Sequence, residues 1–101
     1  MVKIIKNYED KSPEEDSITS MLESEGLSTE VWSADAGTTK EPQTLNFNRS
    51  MVVVSGMMRI TLPESPEEFS DLMAGDRIDI PANTPHGIMV GPAGVRLIEG
   101  K

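Results

Sequence analysis

The chain has 101 residues, a formal net charge of −8 and no cysteine. That length supports one domain, and the missing thiols exclude disulfides, thiol catalysis and Cys-based zinc sites. The acidic balance, with few and scattered basic residues, argues against nucleic acid and anionic membranes as partners, because phosphate neutralisation needs clustered Lys and Arg.

A single histidine, His86, leaves no room for a multi-histidine metal site. Met1 to Lys6 lacks the apolar stretch of a signal peptide, and no apolar run approaches the roughly 18 residues of a membrane span. With the cysteines absent as well, the expected compartment is the cytoplasm.

Residues 2–5 read as a short strand. Ser12-Pro13-Glu14-Glu15 has the composition of a helix start, with Ser12 as cap, Pro13 in the first turn and Glu15 closing a capping box. Ile18, Met21 and Leu22 form one apolar stripe and Gly26 is a stop, so the spacing predicts a helix over about 13–25 that covers a sheet. From Leu27 onward the signal changes to short strands divided by turns. Strands are expected at Leu27–Asp35, with the single Trp, and at Thr44–Phe47, with a loop at Ala36–Glu41 between them.

Met51–Val54 is a continuous apolar run, expected to be buried on both faces. Ser55-Gly56 reads as a turn. Met58, Ile60 and Leu62 then alternate with Met57, Arg59 and Thr61, the period of a strand with one face inward. Pro63–Ser70 reads as an acidic loop. Ile78 and Ile80 alternate with Arg77 and Asp79. His86–Val90 and Val95–Ile98 are the last expected strands, divided by a turn at Gly91-Pro92-Ala93-Gly94. Many short strands at near-regular spacing indicate an all-β sandwich or barrel.

Residues 75–86, Gly-Asp-Arg-Ile-Asp-Ile-Pro-Ala-Asn-Thr-Pro-His, carry the most specific signal. Gly75 permits a tight turn supported by Asp76, and Pro81 ends the strand because it has no N–H. Asn83 can take a left-handed backbone. Thr84-Pro85 then reverses the chain in front of His86.

This spacing resembles the second motif of the cupin superfamily: Gly, five residues, Pro, one residue, Gly, two residues, His. Asn83 replaces the inner Gly, and Val90 stands where the motif usually ends in Asn. Glu25-Gly26-Leu27, Trp32-Ser33, Gly37, the strands around Gly56, and Val90-Gly91-Pro92-Ala93-Gly94-Val95 extend the resemblance to small single-domain cupins over roughly residues 20–99. The resemblance implies a cupin-type double-stranded β-helix, a jelly-roll barrel, with one short N-terminal helix. It implies one domain over 1–101, with an N-terminal strand and helix extension at 1–26 and the barrel at 27–99.

The first cupin motif usually carries His-x-His, three or four residues, Glu, six residues and Gly. With Gly56 as its terminal Gly, Arg49 falls on the Glu position. The shorter spacing places the two His positions on Gln43 and Leu45, the longer one on Pro42 and Thr44. Similarity to the small cupins favours the shorter, with Phe47, Asn48 and Arg49 where many of them carry Tyr, Asp and Lys. Three of the four usual metal ligands are thus replaced. No metal and no other cofactor is expected, since a first-row metal needs about three good protein ligands and a guanidinium repels a cation.

The expected function is binding of a small molecule, a small organic anion gripped between Arg49 and His86 in the barrel mouth. Ligand-facing candidates are His86, Arg49, Gln43, Trp32, Phe47 and Met51. His86 is the one candidate for a catalytic group. Two alternatives differ in class. One is a metal-independent isomerase or epimerase with His86 as general base. The other is a structural or regulatory dimerisation module. A homodimer is expected, with a second subunit covering one face of the apolar strand at 51–54.

Overall fold

The computed structural model describes residues 2–6, 14–64 and 69–101. The chain forms β1 (Lys3–Ile5), α1 (Glu15–Ser24), β2 (Thr29–Ala34), β3 (Thr39–Gln43), β4 (Arg49–Thr61), β5 (Phe69–Met73), β6 (Arg77–Ile80) and β7 (His86–Gly100). The strands pair in the order β1-β6-β4-β7-β2, with β3 added to β7 and β5 to β4. All pairings are antiparallel.

Two long strands organise the molecule. The first half of β4 pairs with β6 and the second half with β5. The first half of β7 pairs with β3 and the second half with β2. Each half of β4 also pairs with the opposite half of β7. One continuous sheet is therefore folded into two layers, the jelly-roll arrangement. The fold takes place at register breaks, where Met58 faces Val90 but Gly56 already faces Val95. Such bulges bend a strand and raise its twist. Gly56 has φ +80°, and a Cβ there would stand 2.0 Å from the Gly94 carbonyl oxygen. The bend thus depends on two backbones meeting without a side chain between them.

Side-chain alternation sorts the two faces of β4. Met51, Val53, Met58 and Ile60 point into the barrel, with Ile78, Ile80, Ile88, Val95 and Leu97 from β6 and β7. Val52 points outward and packs with Ile98 against Ile18 and Leu22 of α1. Both faces of the run at 51–54 are covered within one chain, so that run by itself calls for no second subunit.

α1 ends in a Schellman motif. Gly26 N–H donates to the Glu23 carbonyl and Leu27 N–H to the Leu22 carbonyl, with Gly26 at φ +86°. The hydrophobic contact that accompanies this motif is Leu27 with Leu22.

Several expected elements differ in the structure. The expected cap at Ser12 and Pro13 lies outside the described residues. The helix runs over Glu15–Ser24 with Glu14 as its N-cap and no side-chain cap bond. Met21 is 37% exposed, whereas Ile18 and Leu22 are fully buried. Positions 18 and 22 lie one helical turn apart and meet the sheet directly, and 21 falls beside that line.

The loop expected at 36–41 contains most of β3, and no strand forms at 44–47. β3, Thr-Lys-Glu-Pro-Gln, is exposed at every position. It is held by backbone bonds to β7, so no hydrophobic pattern marks it. Pro42 is tolerated because β3 is an edge strand. Ser55-Gly56 is a bend inside β4, not a turn, and 91–94 is a bend inside β7. β5 begins at Phe69, inside the segment read as a loop; residues 65–68 lie outside the described residues.

Candidate functional site at the barrel end

The turn into β7 follows the sequence reading. Asp76 accepts the Met73 N–H at 3.0 Å and fixes the turn at Gly75, where φ is +93°. Asn83 has φ +64°, the conformation required where the family motif carries Gly. Two bonds tie this turn to the segment before β4. Asn83 N–H donates to the Leu45 carbonyl at 2.7 Å, and Ala82 N–H donates to Asn48 Oδ1 at 2.9 Å. The starts of β4 and β7 are thereby held at one end of the barrel.

Arg49 opens β4 and His86 opens β7. Arg49 shares its inward face with Met51 and Val53, and His86 shares its face with Ile88 and Val90. Glu99, near the end of β7, is in phase with inward Val95 and Leu97 and faces Met51 across the ladder. The three polar side chains converge from the two layers. Arg49 Nη1 donates to His86 Nε2 at 3.1 Å. Arg49 Nε donates to Glu99 Oε2 in a close ion pair. His86 Nδ1 donates to the Thr84 carbonyl at 3.0 Å. Arg49 is 8% exposed and His86 2%.

These partners fix the tautomer. A carbonyl oxygen can only accept, so Nδ1 carries the proton. A guanidinium can only donate, so Nε2 is the bare lone pair. His86 is therefore the neutral Nδ1–H imidazole, and Glu99 balances the charge of Arg49. An apolar interior tolerates charges when they are paired and hydrogen-bonded in this way.

Arg49 forms its bonds through Nε and Nη1, and Glu99 through Oε2. Among the described residues every buried side-chain nitrogen and oxygen has a hydrogen-bond partner. Arg49 Nη2 and Glu99 Oε1, which make no such bond, therefore reach solvent.

Of the other candidates, Met51 is fully buried beside Arg49 on the same face of β4. Trp32 of β2 is half-buried against the barrel core and faces Leu97. Gln43 of β3 is in register with His86 but exposed. Phe47 lies in the segment between β3 and β4, with Lys101 Nζ 5.2 Å from its ring centre. Arg49 and His86 are thus bonded to each other, Met51 and Trp32 line the adjoining interior, and Gln43 and Phe47 stand at the rim. Glu99 was missed by the sequence reading. Its signal was its phase: it continues the inward row of Val95 and Leu97 with a carboxylate.

The expected grip on an anion meets two obstacles in this geometry. Glu99 already holds Arg49, and His86 Nε2 presents a lone pair where an anion needs an N–H. A metal fits no better. The Nε2 lone pair that would bind it is occupied by Arg49, and among the described residues no group of three or more His, Asp or Glu is placed to hold an ion.

A concavity of about 390 Å³ lies between the end of α1, β1 and the start of β4, bordered by Lys3, Glu25, Asn48, Arg49, Arg77 and Asp79, so Arg49 belongs both to its wall and to the cluster with His86. Its buried Arg77 donates two bonds of 2.7 Å to Glu25 and one of 2.9 Å to Asp79. The Glu25 carboxylate, with Asp79 behind it, holds the Arg77 guanidinium above its ordinary pKa against the effect of burial. This forked, charge-balanced cluster ties α1 to the sheet.

No protein-family model matches the chain, and no curated protein matches it. Solved structures do. A DUF861 family protein from Thermotoga maritima is 15% identical with a TM-score of 0.66, covering 98% of this chain and 97% of its own. A cupin superfamily protein from Desulfitobacterium hafniense is 17% identical with a TM-score of 0.64, covering 74% of this chain; this chain spans 65% of its length. An RmlC-like cupin from Shewanella frigidimarina is 23% identical with a TM-score of 0.63, over 73% of this chain and 63% of that one. The chain has the cupin fold, an all-β double-stranded β-helix with one short helix. At these identities the likeness concerns the fold, and function has to be argued from the site.

Proposed function

We propose that the chain is a small-molecule-binding cupin domain whose binding end is the barrel mouth around Arg49, Glu99, His86 and Trp32. The observation that carries this reading is the Arg49–Glu99–His86 cluster at the end of an apolar interior, with Arg49 Nη2 and Glu99 Oε1 outside its hydrogen bonds. Ligand sites are commonly apolar cavities with a few converging polar groups. The three groups sum to zero charge, so a carboxylate ligand must compete with Glu99 for Arg49. A neutral molecule with a carbonyl oxygen beside an N–H or O–H, such as a primary carboxamide, offers a partner to both Arg49 Nη2 and Glu99 Oε1.

Catalysis by His86 as a general base has less support. Both ring nitrogens are engaged, and Nε2 becomes a base only after Arg49 leaves it. A dimerisation role rests on the exposed Val31 of edge strand β2, 46% accessible, and has no counterpart in the site. Among neighbours of this fold is a polyketide cyclase from Streptomyces resistomycificus, 22% identical with a TM-score of 0.64 over 73% of this chain; the chain spans 53% of its length. An NMR titration with primary carboxamides and with carboxylates tests the reading. The carboxamides are expected to shift the Arg49 side-chain and His86 ring signals at millimolar concentration. If neither class moves either residue, the barrel end is not a binding site.

A further inference from the structure

The resemblance to the cupins implies an inward metal site, of whose ligands this chain keeps only His86; Arg49 stands at the position of the motif carboxylate, and the carboxylate beside it comes instead from Glu99 at the end of β7. His86 Nε2 and Glu99 Oε2 both face the Arg49 guanidinium, the imidazole through Nη1 and the carboxylate through Nε. Arg49 supplies in two contacts what a cation at this place would supply in charge and in lone-pair partnership. The imidazole lone pair faces the cation, and the carboxylate neutralises it. The Nδ1–H is anchored on the Thr84 carbonyl, the same outer bond that orients metal-binding histidines.

We propose that Arg49 is the resident cation of this barrel: its guanidinium stands in the place of a metal ion, fills the coordination positions of His86 and Glu99, and so closes the site to metals. This inference rests on the triad alone and stands whether or not the barrel mouth binds a ligand. It also accounts for two charged side chains in an otherwise apolar interior. Removing a metal from such a barrel would leave the carboxylate and the lone pair facing each other, and a cation delivered by the chain itself removes that repulsion.

The reach of the side chains makes the proposal testable. An imidazole plus a metal–nitrogen bond of about 2.1 Å spans nearly the length of an arginine side chain. Arg49→His should therefore direct a third ligand at the point now held by the guanidinium, beside His86 and Glu99. Wild-type protein and Arg49→His are titrated with Co²⁺ and with Zn²⁺, read by calorimetry and by the Co²⁺ absorption spectrum. Arg49→His is expected to bind one ion per chain at least about a hundredfold more tightly than wild type, with loss of binding on adding His86→Ala. Equal affinity of the two proteins, or a folded Arg49→His without binding, overturns the proposal.

If Arg49→His does not fold with or without metal, Arg49→Ala decides the matter through chemical rescue. Methylguanidinium at millimolar concentration should raise the melting temperature of Arg49→Ala and leave wild type unchanged. An equal response of both proteins contradicts a cation site between His86 and Glu99.

Discussion

Arg49 Nη1 and His86 Nε2 lie 3.1 Å apart, a cation against the lone pair of a neutral imidazole, each at the start of its strand and in opposite layers of the barrel. The contact is stable only while Glu99 supplies the opposing charge. Glu99→Gln leaves Arg49 buried without a counter-ion and is expected to cost about 3 kcal/mol, as removal of one member of a buried pair does. Arg49→Met combined with Glu99→Gln should cost less than the sum of the two single changes by at least about 1 kcal/mol. Urea denaturation of the four proteins measures this coupling. Simple additivity would mean that the pair is not formed.

The bend that folds one sheet into two layers has a steric test. Gly26 and Gly56 both have positive φ, but a Cβ at Gly26 meets nothing within 4 Å, whereas at Gly56 it meets the Gly94 carbonyl. Gly26→Ala is expected to cost about 1 kcal/mol, the backbone contribution alone. Gly56→Ala adds a backbone clash and should cost at least about 3 kcal/mol, or prevent folding. Similar melting temperatures for the two variants would show that the strands do not cross closely at that bend.

Leu22 and Met21 are neighbours in sequence with opposite surroundings. Leu22→Ala empties a packed site between α1, Val52 and Ile98 and is expected to cost about 3 kcal/mol. Met21→Ala, at a position 37% exposed, should change stability by less than about 0.5 kcal/mol. Comparable losses would mean that the helix docks through a different face.

Acid sensitivity has one localisable contribution in the cross-strand pair of Arg59 and Asp71, which face each other in register. Hydrogen bonds from Arg59, its charge, and that of Lys6 hold the Asp71 carboxyl below its ordinary pKa, partly opposed by burial. A lowered folded-state pKa gives stability that is present above the unfolded value of about 3.9 and lost as pH falls through the folded one. The side chains are 40% and 37% exposed, and solvent screening limits the contribution to about 0.5 kcal/mol. Asp71→Asn should therefore be slightly less stable than wild type at neutral pH and converge with it as the pH falls through the lowered folded-state pKa of Asp71. Glu15 is lowered in the same direction by Arg96. A difference that persists unchanged into acid would contradict the ion pair.

The inward strands were legible because side-chain phase is a local property. Met51, Ile60, Ile78, Ile80, Ile88 and Leu97 all lie where alternation or continuous apolarity placed them. Asn83 was legible because a left-handed turn restricts the residue types that fit. β3 was not, since its five exposed residues gain their structure from the backbone of β7. The bends at Gly56 and 91–94 were read as turns because glycine marks either, and only the register of the partner strand decides between them. Within the site, Arg49 and His86 followed from motif spacing. Glu99 did not, because the charge balance of a buried arginine becomes visible only when the strands that carry the two side chains are laid side by side.

The central claim, that a neutral His86 receives an N–H from Arg49 through its bare Nε2, is tested most directly by ¹⁵N NMR of the His86 ring. Long-range proton–nitrogen correlation spectra at neutral pH should give a protonated Nδ1, a non-protonated Nε2, and a coupling or exchange-protected signal linking Nε2 to an Arg49 guanidinium proton. An Nε2–H tautomer, or a ring with both nitrogens protonated at that pH, would contradict the account, since neither form can accept from Arg49.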